Sequence, residues 1–224
     1  TAGGYYVVEK GGILKSLGGI ILSTGLIHYY PPNNLNPGSE TNLNSYGEMI
    51  VRNPGSSFKV TTDVQLTTVA KGALYVLDGA SLISGVNSAL YTSIGYIPVH
   101  ITGTTTNQPA YTNDNAYGLF VVSNANSVAT FRSVLFAHTA GHGNVVVADN
   151  ARLSVTNGTG GSITFKNHSK LTVSDAFVET PTLTTASNST IRIVLGARDH
   201  ASAYIKATTA VTLNANSMLE VGVL

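Results

Sequence analysis

Four eleven-residue stretches in the second half of the chain superpose without a gap: VVVADNARLSV from Val145, ITFKNHSKLTV from Ile163, LTTASNSTIRI from Leu183 and VTLNANSMLEV from Val211. Each reads as strand, turn, strand. Apolar residues hold the first, ninth and eleventh positions, as Val145, Leu153 and Val155 or Ile163, Leu171 and Val173, and small polar residues hold the bend between them. A unit of this length cannot bury its own apolar face, so a recurring apolar column predicts stacked copies. The expected fold is all-β, a parallel β-helix (solenoid) with long surface loops. LYVLDGASLIS from Leu74, IVRNPGSSFKV from Ile50 and FVVSNANSVAT from Phe120 fit the template progressively less well. Insertions such as ARDHASAYIKA belong at corners, where a loop projects without disturbing register.

The competing all-β reading is an antiparallel sandwich completed by a donated strand, in which VVVADN and RLSVTN are hairpin arms around Asp149, Asn150 and Ala151. Strands on opposite edges of a sandwich have no reason to share one template, which favours the solenoid. Stacking would align Asn150, His168, Asn188 and Asn216 as a turn ladder, because Asn tolerates left-handed backbone and hydrogen-bonds locally.

No window sustains a helical apolar period, and Gly, Thr, Asn and Val stand where a helix wants Ala, Leu, Glu or Lys. Residues 1–30 are expected to form an apolar strand segment that serves as an assembly arm. Gly12 to Ile27 is its most apolar part, but Lys15 and glycines 12, 18, 19 and 25 interrupt it, so it is not a membrane span. Residues 31–48, rich in Pro and Asn, read as a loop, and 49–224 as the solenoid domain with a loop excursion at 102–118.

Only 10% of the 224 residues are charged, and 12 basic against 11 acidic side chains leave a net charge of +1. No field of that size steers nucleic acid or an anionic membrane. Cys is absent, which removes disulfides, thiol catalysis and cysteine zinc sites. The Thr/Asn/Gly-rich, weakly charged profile points to an extracellular or cell-surface protein, secreted, with any signal peptide either removed before Thr1 or never included.

Catalysis by a polysaccharide-active β-helix needs paired acids or a metal site on one face. Under the template, Asp149 stacks over Asn167, Ser187 and Ala215, and Asp175 over Asn157 and Leu195, so no column pairs two carboxylates. Loops would have to gather Glu40, Glu48, Asp63 or Asp114 instead. An enzyme is therefore not expected, and no cofactor. His138 and His142 are the weak metal candidates, four residues apart in a glycine-rich corner, with Asp149 as a speculative third ligand. Asn157, Asn167 and Asn188 head glycosylation sequons. Tyr5, Tyr6, Tyr29, Tyr30, Tyr111 and Tyr117 offer aromatic faces for partner subunits or sugars.

The xLxV strand after an Asn-Ser or Asn-Ala turn, with low charge and abundant Thr, Asn and Gly, resembles the right-handed parallel β-helix passengers of bacterial autotransporters and related haemagglutinin-like adhesins. That resemblance implies an adhesin or surface filament, with enzymes a minority. The membrane barrel that follows such passengers has no counterpart here, so it was removed or the protein reaches the surface by another route.

Strand-like apolar segments at both ends, Tyr5, Tyr6, Val7 and Val8 and then Val221, Val223 and Leu224, suggest an assembly interface. The expected partners are copies of the chain itself, joined head to tail or by strand donation into a homopolymeric filament or fimbrium. Host or neighbour-cell glycans are the second partner class. The alternative function is a carbohydrate-binding or carbohydrate-cleaving β-helix protein.

Overall fold

The computed structural model describes residues 3–18, 20–23, 26–29, 38–41, 46–61, 64–67, 71–85, 92–94, 117–132, 134–136, 142–156, 160–165, 168–196 and 203–223. They form 22 strands, numbered in chain order, and no α-helix. Eight strands make the first sheet, in the order β1 (Gly3–Val8), β6 (Tyr46–Arg52), β9 (Lys71–Leu77), β12 (Tyr117–Ser123), β15 (His142–Ala148), β18 (Lys170–Ser174), β20 (Thr190–Leu195) and β22 (Met218–Val223). The second runs β2 (Ile13–Ser16), β7 (Ser57–Val60), β10 (Ser81–Ser84), β13 (Val128–Phe131), β16 (Arg152–Val155) and β19 (Phe177–Thr185). It then returns through β17 (Ser162–Phe165), β14 (Val134–Phe136), β11 (Thr92–Ile94), β8 (Val64–Thr67) and β3 (Ile20–Ser23), with β21 (Tyr204–Leu213) along β19. A separate antiparallel pair joins β4 (Leu26–Tyr29) to β5 (Gly38–Thr41).

Every pairing in the two large sheets is parallel. Parallel neighbours need a crossover, and the chain supplies it by visiting the first sheet, one arm of the second and then the other arm in rotation. The hairpin reading of Asp149 to Ala151 fails on this point, because β15 and β16 lie in different sheets. The two arms meet in β19, whose first half pairs β16 and whose second half pairs β17. Pro181, which has no N–H to give to a ladder, sits between Thr180 and Thr182, where the register with β21 shifts.

The alternation along single strands explains why they form. In YGLFVVS (β12) and HGNVVVA (β15) every second residue is buried, the period of a pleated strand with one face on a core. Register turns these into columns. Val8, Val51, Val76, Val122, Val147, Val173, Ile193 and Val221 follow one another across the first sheet, all β-branched. Tyr6, Met49, Leu74, Phe120, Val145, Leu171, Ile191 and Leu219 form a second such column. Gly4, Gly47, Gly72, Gly118 and Gly143 form a third.

Three of the four templates stack as read: Ile163, Leu183 and Val211 are in register, as are Leu171, Ile191 and Leu219. The first does not. Val145 pairs with Leu171, so the Val145 stretch turns a different corner, from the first sheet into the second. The ladder is corrected accordingly: His168, Asn188 and Asn216 share a corner and a left-handed backbone, with the Asn188 N–H donating to the Asn216 carbonyl, whereas Asn150 does not join them. Two corners with the same local chemistry produce the same string. Segment bounds shift as well. Tyr46 to Glu48, expected in the 31–48 loop, open β6, and Tyr117 and Gly118, expected in the 102–118 excursion, open β12. β1 and β2 pair in register with β6 and β7 instead of forming a separate arm.

The corner where Asn150 lies holds a longer ladder. Register places Lys10, Asn53, Asp78, Asn124, Asp149 and Asp175 at its first position, each with φ between 48° and 75°. Asn and Asp are the non-glycine residues that enter this region most readily. Inside the same corner, buried Ser56 and Ser127 accept hydrogen bonds from the backbone N–H groups of Gly11 and Gly79 at 3.0 and 2.9 Å.

Phe120 and Phe131 meet edge to face with centroids 5.6 Å apart, each 1% exposed. Replacing Phe131 with Ala should cost about 3–5 kcal/mol, the usual penalty for emptying a buried aromatic site, measured as a lowered midpoint in urea unfolding.

Candidate functional site

Three surfaces carry chemistry. The first is the outer face of the eight-stranded sheet. Tyr46, Lys71, Tyr117 and His142, the first residues of four neighbouring strands, stand side by side in register. The next outward row holds Tyr5, Glu48, Ala73, Leu119 and Asn144. The Tyr46 hydroxyl donates to Glu48 Oε2, and Asn144 Nδ2 donates to the Tyr117 hydroxyl at 2.8 Å. Tyr75 is two residues beyond Ala73 on the same face of β9.

This environment favours neutral phenols. Burial, the hydrogen bond to Glu48 and its negative charge push the Tyr46 hydroxyl well above the ordinary tyrosine range. Burial and then the Glu48 charge raise Tyr75 in the same sense. At the end of the row the His142 and His168 rings lie 5.8 Å apart, tilted by 45°.

The second surface is the corner ladder. Stacking by the template placed Asp149 and Asp175 in separate columns; in the structure they are neighbours, since Val147 pairs Val173 and Ala148 pairs Ser174. Amides separate the other carboxylates: Asn124 Nδ2 donates to Asp78 Oδ1 at 2.6 Å, and the Ser123 hydroxyl donates to Asp149 Oδ2 at 2.7 Å. These bonds account for the acidic side chains as corner fasteners.

The third surface comprises the outermost strands. β1 and β22 are the two edges of the first sheet, each paired on one side only. Tyr5 is 62% exposed and Tyr6 58%, while Val221 and Val223 are 65% and 64% exposed. Val7 is less open than either tyrosine, and Val8 is half-buried.

Other candidates fall elsewhere. His138, Asn157, Asn167, Leu224, Asp63, Asp114, Tyr30 and Tyr111 lie outside the described residues. The side chains of Glu40 and Tyr29, in β5 and β4, also lie outside them. Asp149 cannot join His142 in a metal site, because the two flank a seven-residue strand whose span is about 20 Å. Among the described residues no group of three or more His, Asp or Glu side chains could hold a metal ion, and no helix is long and apolar enough to cross a membrane. Asn188 is exposed at its corner.

Reading the sequence missed Tyr46, Lys71, Tyr75 and Asn144. Their signal is the motif of an aromatic, basic or His residue, then Gly, x, apolar, x, Val, in YGEMIV, KGALYV, YGLFVV and HGNVVV. No family model, curated protein or solved structure matches the chain.

Tyr46, Tyr75 and Tyr204 all have folded-state hydroxyls raised above the unfolded value. Their contribution to stability is thus complete below about pH 10 and is lost as pH climbs from there toward the raised values. Absorbance titration at 295 nm should resolve a late-ionising class of tyrosines that shrinks in Tyr46→Phe; a single class near pH 10 in both proteins would contradict it.

Proposed function

We propose that the chain is a right-handed parallel β-helix and that it works as a structural subunit of an extracellular filament, with each copy stacking on the next. The rotation of strands through one sheet and two arms supports the helix, and the general chirality of parallel crossovers supports its hand. The carrying observation for assembly is the row Val211, Leu213, Leu219, Val221 and Val223, each 54% to 65% exposed although its register partners in the preceding strands line the core. An exposed apolar row beside an unpaired strand edge is a template for another parallel strand.

A second copy fits this edge. β1 presents the opposite edge of the same sheet, with the same polarity and the same columns, so Leu219 and Val221 would meet Tyr6 and Val8 of the neighbour. Such a contact is heterologous and does not close, which gives a filament. Magnitudes show what has to hold it. Covering five half-exposed aliphatic side chains is worth roughly 4–8 kcal/mol in total, which is comparable to the lower range of association costs, about 4–15 kcal/mol. Main-chain hydrogen bonds along β22 and β21 must therefore contribute. The low charge, with abundant Thr, Asn and Gly, supports a location outside the cell.

The columns also define the expected register, with Glu220 opposite Val7 of the next copy. Parallel strands lie about 4.8 Å apart, within reach of a disulfide, and the chain has no cysteine of its own to confuse the result. A Val7→Cys, Glu220→Cys double variant should form a covalent ladder of oligomers under mild oxidation, and the unmodified protein should form rods in negative stain. Monomers alone at high concentration, with both thiols free, would overturn the proposal. Leu219→Lys should shift the oligomers toward monomer while leaving the fold intact.

A further inference from the structure

We propose that the outer face of the eight-stranded sheet, around Tyr46, Glu48, Lys71, Tyr75, Tyr117 and Asn144, binds a neutral oligosaccharide running across the strands. This goes beyond the assembly role, since the face is perpendicular to the strand edges at which copies would meet.

Elsewhere on the surface a comparable group is consumed in cross-strand packing: Arg152 pairs with Glu179 at 3.2 Å and lies over the Phe177 ring, which packs on Tyr204 with centroids 4.9 Å apart. In the first-sheet group the contacts are single hydrogen bonds, Tyr46 to Glu48 within β6 and Asn144 to Tyr117 between neighbouring strands, and Tyr46 remains 39% exposed. Apolar ring faces set beside a fixed acceptor and fixed donors are what a sugar needs, because its C–H faces stack on aromatic rings while its hydroxyls exchange hydrogen bonds at the rim.

Geometry sets the size of the ligand. Tyr46 and Tyr117 stand on β6 and β12 with β9 between them, so about 10 Å separates their backbones, and His142 extends the row by another strand. A row of that length suits several linked sugars rather than one. The rings rest on strands, not loops, so little entropy is lost in holding them for the ligand.

Charge sets the class. Glu48 and Lys71 are on neighbouring strands and balance one another, with Ala73 in register with Glu48. A polyanion meets the Glu48 carboxylate, and a cation meets Lys71. An uncharged glycan meets neither conflict. Glu48 would accept from a sugar hydroxyl through the lone pairs left by Tyr46, while Lys71 and the Asn144 amide would donate.

Chitohexaose, cellohexaose, laminarihexaose and mannohexaose, titrated separately into the unmodified protein, supply the test. Binding is read by calorimetry and by tyrosine fluorescence, which is unobscured because the chain has 11 Tyr and no Trp. At least one of the four should bind saturably, and Tyr46→Ala and Tyr117→Ala should each weaken it at least tenfold, while Tyr204→Phe leaves it unchanged. Glu48→Gln keeps the side-chain shape and should weaken binding several-fold, so the proposal stays testable if an alanine variant does not fold. Three outcomes overturn it: none of the four binds at millimolar concentration, binding survives both alanine substitutions, or a sulfated or sialylated oligosaccharide binds more tightly than every neutral one.

Discussion

In-register parallel pairing of strands is the constraint from which the rest follows. A strand paired with its counterpart one circuit away places each side chain over the equivalent side chain, so every position becomes a column, and a column can hold only residue types that tolerate their own kind as neighbours. The inner columns answer this with Val, Ile and Leu, which pack on themselves without polar debts, as in the run from Val8 through Val147 to Val221. Lys15 and Lys59 stand in register on β2 and β7, but at three places opposite charges meet across adjacent strands: Glu9 with Arg52, Arg152 with Glu179 and Arg192 with Glu220. These exposed pairs contribute little energy individually, but they remove the like-charge contact that identical stacking would impose.

Corners face the same constraint in the backbone. The corner that follows six of the eight strands of the main sheet holds a left-handed residue, supplied by Lys10, Asn53, Asp78, Asn124, Asp149 and Asp175. Of these, Lys10 is the only member without a short amide or carboxylate side chain, so it has none of the local hydrogen bonding that makes the left-handed conformation inexpensive for Asn and Asp. Asn124 stands between Asp78 and Asp149 and donates to Asp78, whereas Asp149 and Asp175 are direct neighbours and Asp149 accepts from Ser123.

Much of this was legible in the sequence, and the exceptions have a common cause. All-β character, strand alternation and the stacking of the Ile163, Leu183 and Val211 stretches follow from apolar spacing alone. The misplaced Val145 stretch shows the limit: two different corners demand the same apolar, turn, apolar string, and only pairing partners tell them apart. The same ambiguity hid the Asp78, Asp149 and Asp175 corner. Tyr46 escaped, and Tyr117 was placed in a loop, for another reason, since each opens a strand directly after a segment rich in Asn and Pro or Thr, and composition assigns such a residue to the loop. Their glycine neighbours, Gly47 and Gly118, carry the signal, because a glycine recurs at that place in five strands and is buried in four of them.

The continuous strand β19 gives the molecule a direction. Toward β3 the two arms of the second sheet are separate strands, so either can open while the other stays closed. Toward β21 one unbroken backbone belongs to both arms, and lifting it means rupturing the ladders to β16 and β17 together. Spontaneous breathing should therefore be piecemeal on one flank and all-or-none on the other, so the amide protons on either side of Pro181, from Phe177 to Thr180 and from Thr182 to Thr185, would exchange as a single slow block.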